Sequence, residues 1–135
     1  MIDFGSKEYT VSEEAAEQGV QYIFRDPKTD EELYIEDGKP VCVWLLGKDS
    51  KEFHNYQSEQ YSKMRGKKKD PTFEQAKAMT YSLLARLSVK FENVSFKDEP
   101  VTASHASASK FYKECHWARE QVDEFISDRS NFLGN

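Results

Sequence analysis

From residue 111 onward the chain repeats apolar residues at a helical spacing. Phe111, Cys115, Ala118, Val122, Phe125 and Phe132 succeed one another at gaps of four, three, four, three and seven, with Arg129 interrupting the last gap. That period lays them along one stripe of a helix. Trp117 and Ile126 widen the stripe, while Glu114, Arg119, Glu120, Asp123, Glu124 and Asp128 occupy the other face. Gly134 comes next, as suits a helix C-terminus. Burying about five such side chains is worth roughly 1.5–3 kcal/mol each. The stripe must therefore be covered, by the rest of the chain or by a partner. The spacing predicts one terminal helix over residues 111–133.

At 135 residues the chain is long enough to supply a cover of its own, since a domain of that size buries roughly two-thirds of its unfolded surface. We expect one domain over 1–135. The apolar share is low at 38% and the charged share high at 32%, yet nine Phe, seven Tyr and two Trp provide bulk for a core. This is the composition of a soluble folded domain rather than a disordered chain. A net charge of −5 argues against nucleic acid as the default partner. No run approaches the roughly 20 apolar residues of a membrane span, and the first residues lack a basic-then-apolar leader. Cys42 and Cys115 stand far apart in a chain without a secretion signal, so both thiols are expected to be free and buried.

The first third reads as a small antiparallel sheet. Ser12 caps a helix of at most two turns that ends at Gly19. Val20, Tyr22 and Phe24 alternate as a strand, Asp26-Pro27-Lys28-Thr29-Asp30 breaks it, and residues 33–35 form a second short strand. Asp37-Gly38 is a hairpin signal. Residues 41–46 are apolar on both faces, which predicts a central strand or one covered by a helix.

Three main helices and a short β-segment are expected after the sheet. Asp49 with Glu52 three residues on suggests a capping box for a helix carrying Phe53, Tyr56, Gln60 or Tyr61, and Met64 on one side. A basic break over 63–69 comes after it. Asp70 then caps a helix with Pro71 at its first position, lined by Phe73, Ala76, Met79, Leu83, Leu84 and Leu87 and apolar most of the way round; this is the expected core helix over 71–89. Val89, Phe91, Val94 and Phe96 alternate as strand, and Lys97-Asp98-Glu99-Pro100 is a turn. Thr102 is a cap for the last helix, and the Ser/Ala-rich residues 104–109 read as its exposed, frayed start. The fold class is thus α+β, with a β-rich part over 20–47 and a mainly helical part over 49–133.

Catalytic patterns are missing from the sequence. His54, His105 and His116 are scattered, and Cys115 and His116, being adjacent, point to different helix faces. There is no phosphate-binding glycine loop, nucleophile elbow or metalloprotease helix motif. The basic run over 63–69 has the charge to touch phosphate, but in an acidic protein it reads more simply as a solvated connection. We expect no enzyme, no cofactor and no metal site.

Three stretches resemble the small tail assembly chaperones of bacteriophages with long, non-contractile tails (siphophages). The first is Asp26-Pro27-Lys28-Thr29 through Asp37-Gly38-Lys39-Pro40-Val41 into Leu45-Leu46-Gly47-Lys48-Asp49-Ser50. The second is Phe91-Glu92-Asn93-Val94 with Lys97-Asp98-Glu99-Pro100-Val101. The third, the most specific, is Trp117-Ala118-Arg119-Glu120-Gln121-Val122-Asp123-Glu124-Phe125-Ile126-Ser127-Asp128-Arg129-Ser130-Asn131-Phe132-Leu133. Phe91 stands where the family pattern has tryptophan, and residues 104–109 are poorer in apolar groups than the matching segment.

The resemblance implies a chaperone that binds the tape measure protein, a long helical apolar chain, and keeps it soluble until the tail tube assembles around it. It also implies a homo-oligomer in the host cell cytoplasm that is not retained in the mature virion, with the major tail protein as a further partner. The alternative is a structural head–tail or tail completion subunit. For the client surface, the aromatic groups Phe53, Tyr56 and Tyr61 with Trp117 are the candidates, because large rings with little aliphatic packing between them suit binding anchors. The competing expectation is that the same rings pack against the sheet.

Overall fold

A computed structural model describes residues 1–66 and 70–134. Lysines 67–69 of the basic run lie outside the described residues.

The fold is α+β. Ser12 accepts the Ala15 N–H at 3.1 Å and starts the short helix α1 (Glu13–Gln18). Strands β1 (Val20–Ile23) and β2 (Cys42–Leu45) pair antiparallel, Val20 opposite Leu45 and Tyr22 opposite Val43. A third strand, β3 (Ser88–Glu92), joins the other side of β2, with a register shift between Trp44 and Leu45. The order β1-β2-β3 makes β2 central, as its apolar run requires; Cys42, Val43 and Leu45 are fully buried. The β-rich and helical parts expected from the sequence therefore share one sheet.

The chain between β1 and β2 departs from expectation. Residues 33–35 do not form a strand. They lie in a stretch of isolated bridges, Arg25 opposite Glu32 and Tyr34 opposite Pro40. Leu33 still threads inward: its N–H donates to Phe24 O at 2.8 Å and its carbonyl accepts from Val41 N at 3.0 Å. Tyr34 and Ile35 point to solvent, and Pro40 has no N–H to extend a ladder. The Asp37-Gly38 turn forms, with Gly38 at φ +75°.

Among the described residues the helices number five rather than about three main ones. Helix α2 (Lys51–Met64) is capped by Ser50, whose Oγ accepts the Phe53 N–H at 3.2 Å. The carboxylate of Asp49, the expected cap, instead accepts two hydrogen bonds from Arg129, at 2.7 and 3.2 Å. Helix α3 (Phe73–Leu87) likewise starts from Thr72, not Asp70. Thr72 and Gln75 form a reciprocal capping box, at 3.2 and 2.9 Å. Asp70 has Phe73 three residues on and so lacks the side-chain acceptor such a box needs. Burial along α3 is uneven. Leu84, Ala85 and Leu87 are in the core, whereas Phe73 and Ala76 are exposed.

After β3 come two short strands, β4 (Ser95–Phe96) and β5 (Glu99–Pro100), paired antiparallel around Lys97 and Asp98, which both adopt positive φ. The terminal stripe is carried by two helices, α4 (His105–Glu114) and α5 (His116–Ser127), and then by a 3-10 turn at Arg129–Asn131. The break is at Cys115, whose φ −102° and ψ +88° are not helical. Across it the Arg119 guanidinium donates to the Tyr112 carbonyl at 3.1 Å. The stripe itself holds: Phe111, Cys115, Ala118, Val122 and Phe132 are all buried. Gly134 does not cap a long helix. Its N–H donates to Thr10 O at 2.9 Å, tying the C-terminal residues to the N-terminal segment.

The start of α4 is not frayed. Ser104 is its cap, accepting the Ser107 N–H at 3.2 Å, while the Ser107 hydroxyl accepts the Thr102 N–H at 3.0 Å. Ala108 is completely buried. Residues 104–106 are exposed as expected, and the small side chain of Ala108 lets α4 lie close to its neighbours at that one position. Phe111, three residues on, meets the rings of Phe24, Phe91, Phe96 and Tyr112 at centroid distances of 5.3–6.2 Å. Such edge-on and tilted pairs add to the burial of the rings themselves.

Buried polar groups are matched. Ser88 donates to Leu84 O at 2.7 Å and shares a 2.6 Å hydrogen bond with the Tyr112 hydroxyl. Burial raises the Tyr112 phenol above its ordinary range, and it raises the thiols of Cys42 and Cys115 as well. Both cysteines are free and buried. Proton linkage fixes the sign of the pH effect. The unfolded chain releases these protons at lower pH than the folded chain, so folding stability is intact at neutral pH and falls as pH rises past about 9–10. Urea melts at neutral and alkaline pH are expected to show that loss. Alkylation at pH 8 is expected to label neither thiol until denaturant is added, because buried, protonated thiols are poor nucleophiles.

Candidate interaction surface

Helices α2 and α3 pack side by side, with Phe53, Leu84 and Leu87 in or against the core and with Tyr61 and Lys63 in the last turn of α2 and Phe73 in the first turn of α3 exposed. The pair is pinned by Arg86. Its Nε donates to Glu52 at 3.0 Å, and its two terminal nitrogens donate to Glu59 at 2.5 and 3.1 Å. The guanidinium holds the Glu59 carboxyl below its usual range, chiefly by hydrogen bonding. Both carboxylates are about half exposed, so the fork orients the pair more than it stabilises it.

The four candidate aromatic residues do not form one surface. Tyr56 is buried and its hydroxyl donates to Met79 O of α3 at 2.7 Å. Phe53 is half-buried against the core cluster. These two hold α2 in place. Tyr61, in the last turn of α2, is 74% exposed. Trp117 is 38% exposed on α5, where its ring meets Phe24 edge-on at 6.4 Å. Of the four, only Tyr61 stands free as an anchor, with Trp117 half-available elsewhere.

Sequence reasoning misses Phe73. Its place in the apolar pattern of α3 predicts burial, yet it is 73% exposed in the first turn, with the Lys77 ammonium 4.3 Å from the ring centroid. One signal for this exists in the sequence. The residue four positions on is Lys77, and the flanking residues are Thr72, Glu74 and Gln75, so the apolar partner on the next turn is only the small Ala76. Tyr61 and Phe73 are thus both exposed, with the half-buried Met64 between them in sequence. Lys63 and Arg65 are exposed as well.

No group of three or more His, Cys, Asp and Glu among the described residues is placed to hold a metal ion. His105 Nε2 lies 3.5 Å from Ser82 Oγ and 3.4 Å from Ser109 Oγ, on an exposed face, too long for a tight proton-transfer pair. No helix is long and apolar enough to cross a membrane among the described residues.

Mutation separates the rings by role. Tyr56→Ala is expected to cost about 3 kcal/mol, as for other buried aromatic truncations. Tyr61→Ala is expected to stay within about 0.5 kcal/mol of the parent. Equal losses in denaturant melts would mean that Tyr61 is packed. Comparison with family models, with curated proteins and with solved structures matches none of them.

Proposed function

We propose that this protein is a tail assembly chaperone of a long, non-contractile-tailed bacteriophage. It binds the tape measure protein and keeps it soluble while the tail tube assembles. It acts in the host cytoplasm, performs no catalytic step and leaves before the virion is complete. The sequence resemblance through residues 117–133 supports the family. The observation that carries the binding role is the exposure of two large rings on α2 and α3, Tyr61 at 74% and Phe73 at 73%. Two such rings on a pinned pair of helices suit recognition of an apolar helix, which would lay its stripe against them. Exposed rings of this kind gain most when a partner covers them.

The test is co-expression with the candidate tape measure chain. Wild-type protein is expected to carry that chain into the soluble fraction, and Tyr61→Ala/Phe73→Ala to leave it insoluble while itself folding normally. A tape measure chain equally insoluble with wild-type protein would overturn the chaperone role. Mass spectrometry of purified particles addresses the alternative: a fixed copy number in the virion would make the protein a structural subunit.

A further inference from the structure

Strand β1 is an edge of the sheet, and its register shows which of its groups face outward. Val20 and Tyr22 stand opposite Leu45 and Val43, and the Phe24 N–H donates to Val41 O at 2.9 Å. Residues of an antiparallel pair alternate between bonded and unbonded. Val20, Tyr22 and Phe24 therefore bond inward, and the N–H and C=O groups of Gln21, Ile23 and Arg25 point away from the sheet. Arg25 finds a substitute strand in one side chain. The Gln121 amide of α5 accepts its N–H and donates to its C=O, both at 2.9 Å. No hydrogen bond among the described residues reaches the outward backbone groups of Gln21 and Ile23. Exposed edges are ordinarily blunted by charge, proline or a bulge. The opposite edge, β3, has a register shift beside Lys90. The segment Val20 to Ile23 has no charge, no proline and no register shift.

A groove of about 460 Å³ lies beside this open edge. Helix α5 forms its other wall and runs opposite to β1, with Gln121 at Arg25 and Phe125 at Tyr22, whose ring centroids are 4.9 Å apart. Gln121, Glu124, Phe125 and Asp128 line the groove at the spacing of one helix face. The Tyr22 hydroxyl donates to Gln121 Oε1 at 2.9 Å, which fixes the aromatic floor. Arg25, the cation lining the groove, is engaged, donating to Asp30 O at 2.9 Å and lying 4.0 Å from Glu32. Asp128 is engaged as well, accepting the Ser130 N–H and hydroxyl at 3.0 and 2.6 Å. Glu124 is exposed and forms no ion pair among the described residues. The groove thus joins an apolar floor, an unpaired carboxylate and a row of open backbone groups.

We propose that this groove binds an extended, arginine-bearing segment of a partner protein, which adds to the outer edge of β1 as a fourth strand. The backbone of the segment pairs with Gln21 and Ile23. Its side chain opposite Tyr22 turns into the groove, because residues opposite one another share a face of the sheet. An arginine there lays its stem and guanidinium on the Tyr22 and Phe125 rings and reaches the Glu124 carboxylate. Gln121 already holds the strand position at Arg25, so pairing stops there and the added strand is short. A helical segment cannot use this edge, because its backbone groups are bonded within the helix. The contact uses none of the exposed rings of α2 and α3 and stands independently of the chaperone function proposed above.

The test is fluorescence anisotropy of the chain with a short labelled peptide of alternating threonine and arginine, at about 150 mM salt to screen unspecific attraction. Saturable binding is expected, and none is expected for the threonine–glutamate counterpart. Glu124→Lys is expected to weaken binding roughly tenfold or more by reversing the charge that meets the guanidinium. Ile23→Pro is expected to do the same, roughly tenfold, by removing an outward N–H while leaving the bonds to β2. Glu120→Lys makes the same charge change on an exposed residue outside the groove, and binding is expected to stay within about twofold. Circular dichroism checks that each variant folds. N-methylation of the peptide separates strand pairing from charge with the protein unaltered. Methylating one alternate set of its amides is expected to abolish binding and methylating the other to spare it, since only one set faces β1. No binding to the parent, equal losses from Glu124→Lys and Glu120→Lys, indifference to Ile23→Pro, or equal tolerance of both methylation patterns would each overturn the proposal. So would a dimer that Ile23→Pro dissolves while peptide binding persists, since a second copy would then hold the edge.

Discussion

Replacing Leu84 by alanine is expected to lower the free energy of unfolding by about 3 kcal/mol, within the roughly 2–5 kcal/mol seen for buried leucines. Leu84 is 1% exposed and belongs to the cluster that joins β2 to α3, α4 and α5. Its carbonyl also accepts the Ser88 hydroxyl at 2.7 Å, and Ser88 in turn holds the Tyr112 hydroxyl. The turn of α3 that carries Leu84 is thus fixed by buried bonds and has little freedom to close a cavity. The adjacent Leu83 is only half-buried, and Leu83→Ala is expected to cost clearly less. For a chain of this length each kcal/mol shifts the melting temperature by about 3–5 °C, so Leu84→Ala should melt about 10 °C or more below the parent. Urea titration with an unchanged slope is the measurement. A loss below about 0.5 kcal/mol would place α3 outside the core.

The second large effect is expected at Gly19, which links α1 to β1. Its φ is +81° and ψ −178°, a region essentially reserved for glycine, where another residue costs about 1–3 kcal/mol. Space is the further obstacle. A Cβ at Gly19 would come within 2.8 Å of the Leu45 carbonyl oxygen and 2.9 Å of its nitrogen. Leu45 is buried in the central strand and paired on both sides, so its backbone cannot retreat without disturbing the sheet. Gly38 is the control. It too has positive φ, at +75°, but a Cβ there meets nothing within 4 Å. Gly38→Ala should therefore show about 1 kcal/mol of backbone cost, and Gly19→Ala at least about 2 kcal/mol more. Equal losses in parallel denaturant melts would show that the approach to Leu45 is not tight.

Several features of the fold are legible in the sequence because their causes are local. The Ser12 cap and Gly19 stop of α1 bracket six residues, and both signals are contained in the segment they bound. The central place of β2 comes from a run apolar on both faces. The stripe from Phe111 to Phe132 is legible by its period, and its main members are buried. The same period does not show that the stripe is divided between two helices. Repeat spacing records which residues face inward and carries no mark of a backbone break such as the one at Cys115. The cap of α2 is misread for a similar reason: Asp49 and Ser50 are both good cap residues, and the choice depends on Arg129, eighty positions away, taking the aspartate.

For the candidate surface the division is sharper. The sequence alone determined that this chain holds enough aromatic bulk for a core, that α2 is aromatic and polar, and that residues 61–77 are basic against an acidic remainder. Only the tertiary structure decided which rings are spare. Tyr56 and Tyr61 lie in one helix with similar neighbours, yet one is covered by α3 and the other is not. Phe73 and Leu84 occur in one apolar helix, yet only the half of α3 that reaches α4 and the sheet is covered. Ala108, in the least apolar stretch of the region, is fully interior because helices approach most closely where side chains are small. Exposure is set by what a distant part of the chain brings alongside, and a periodic pattern within one segment does not contain that.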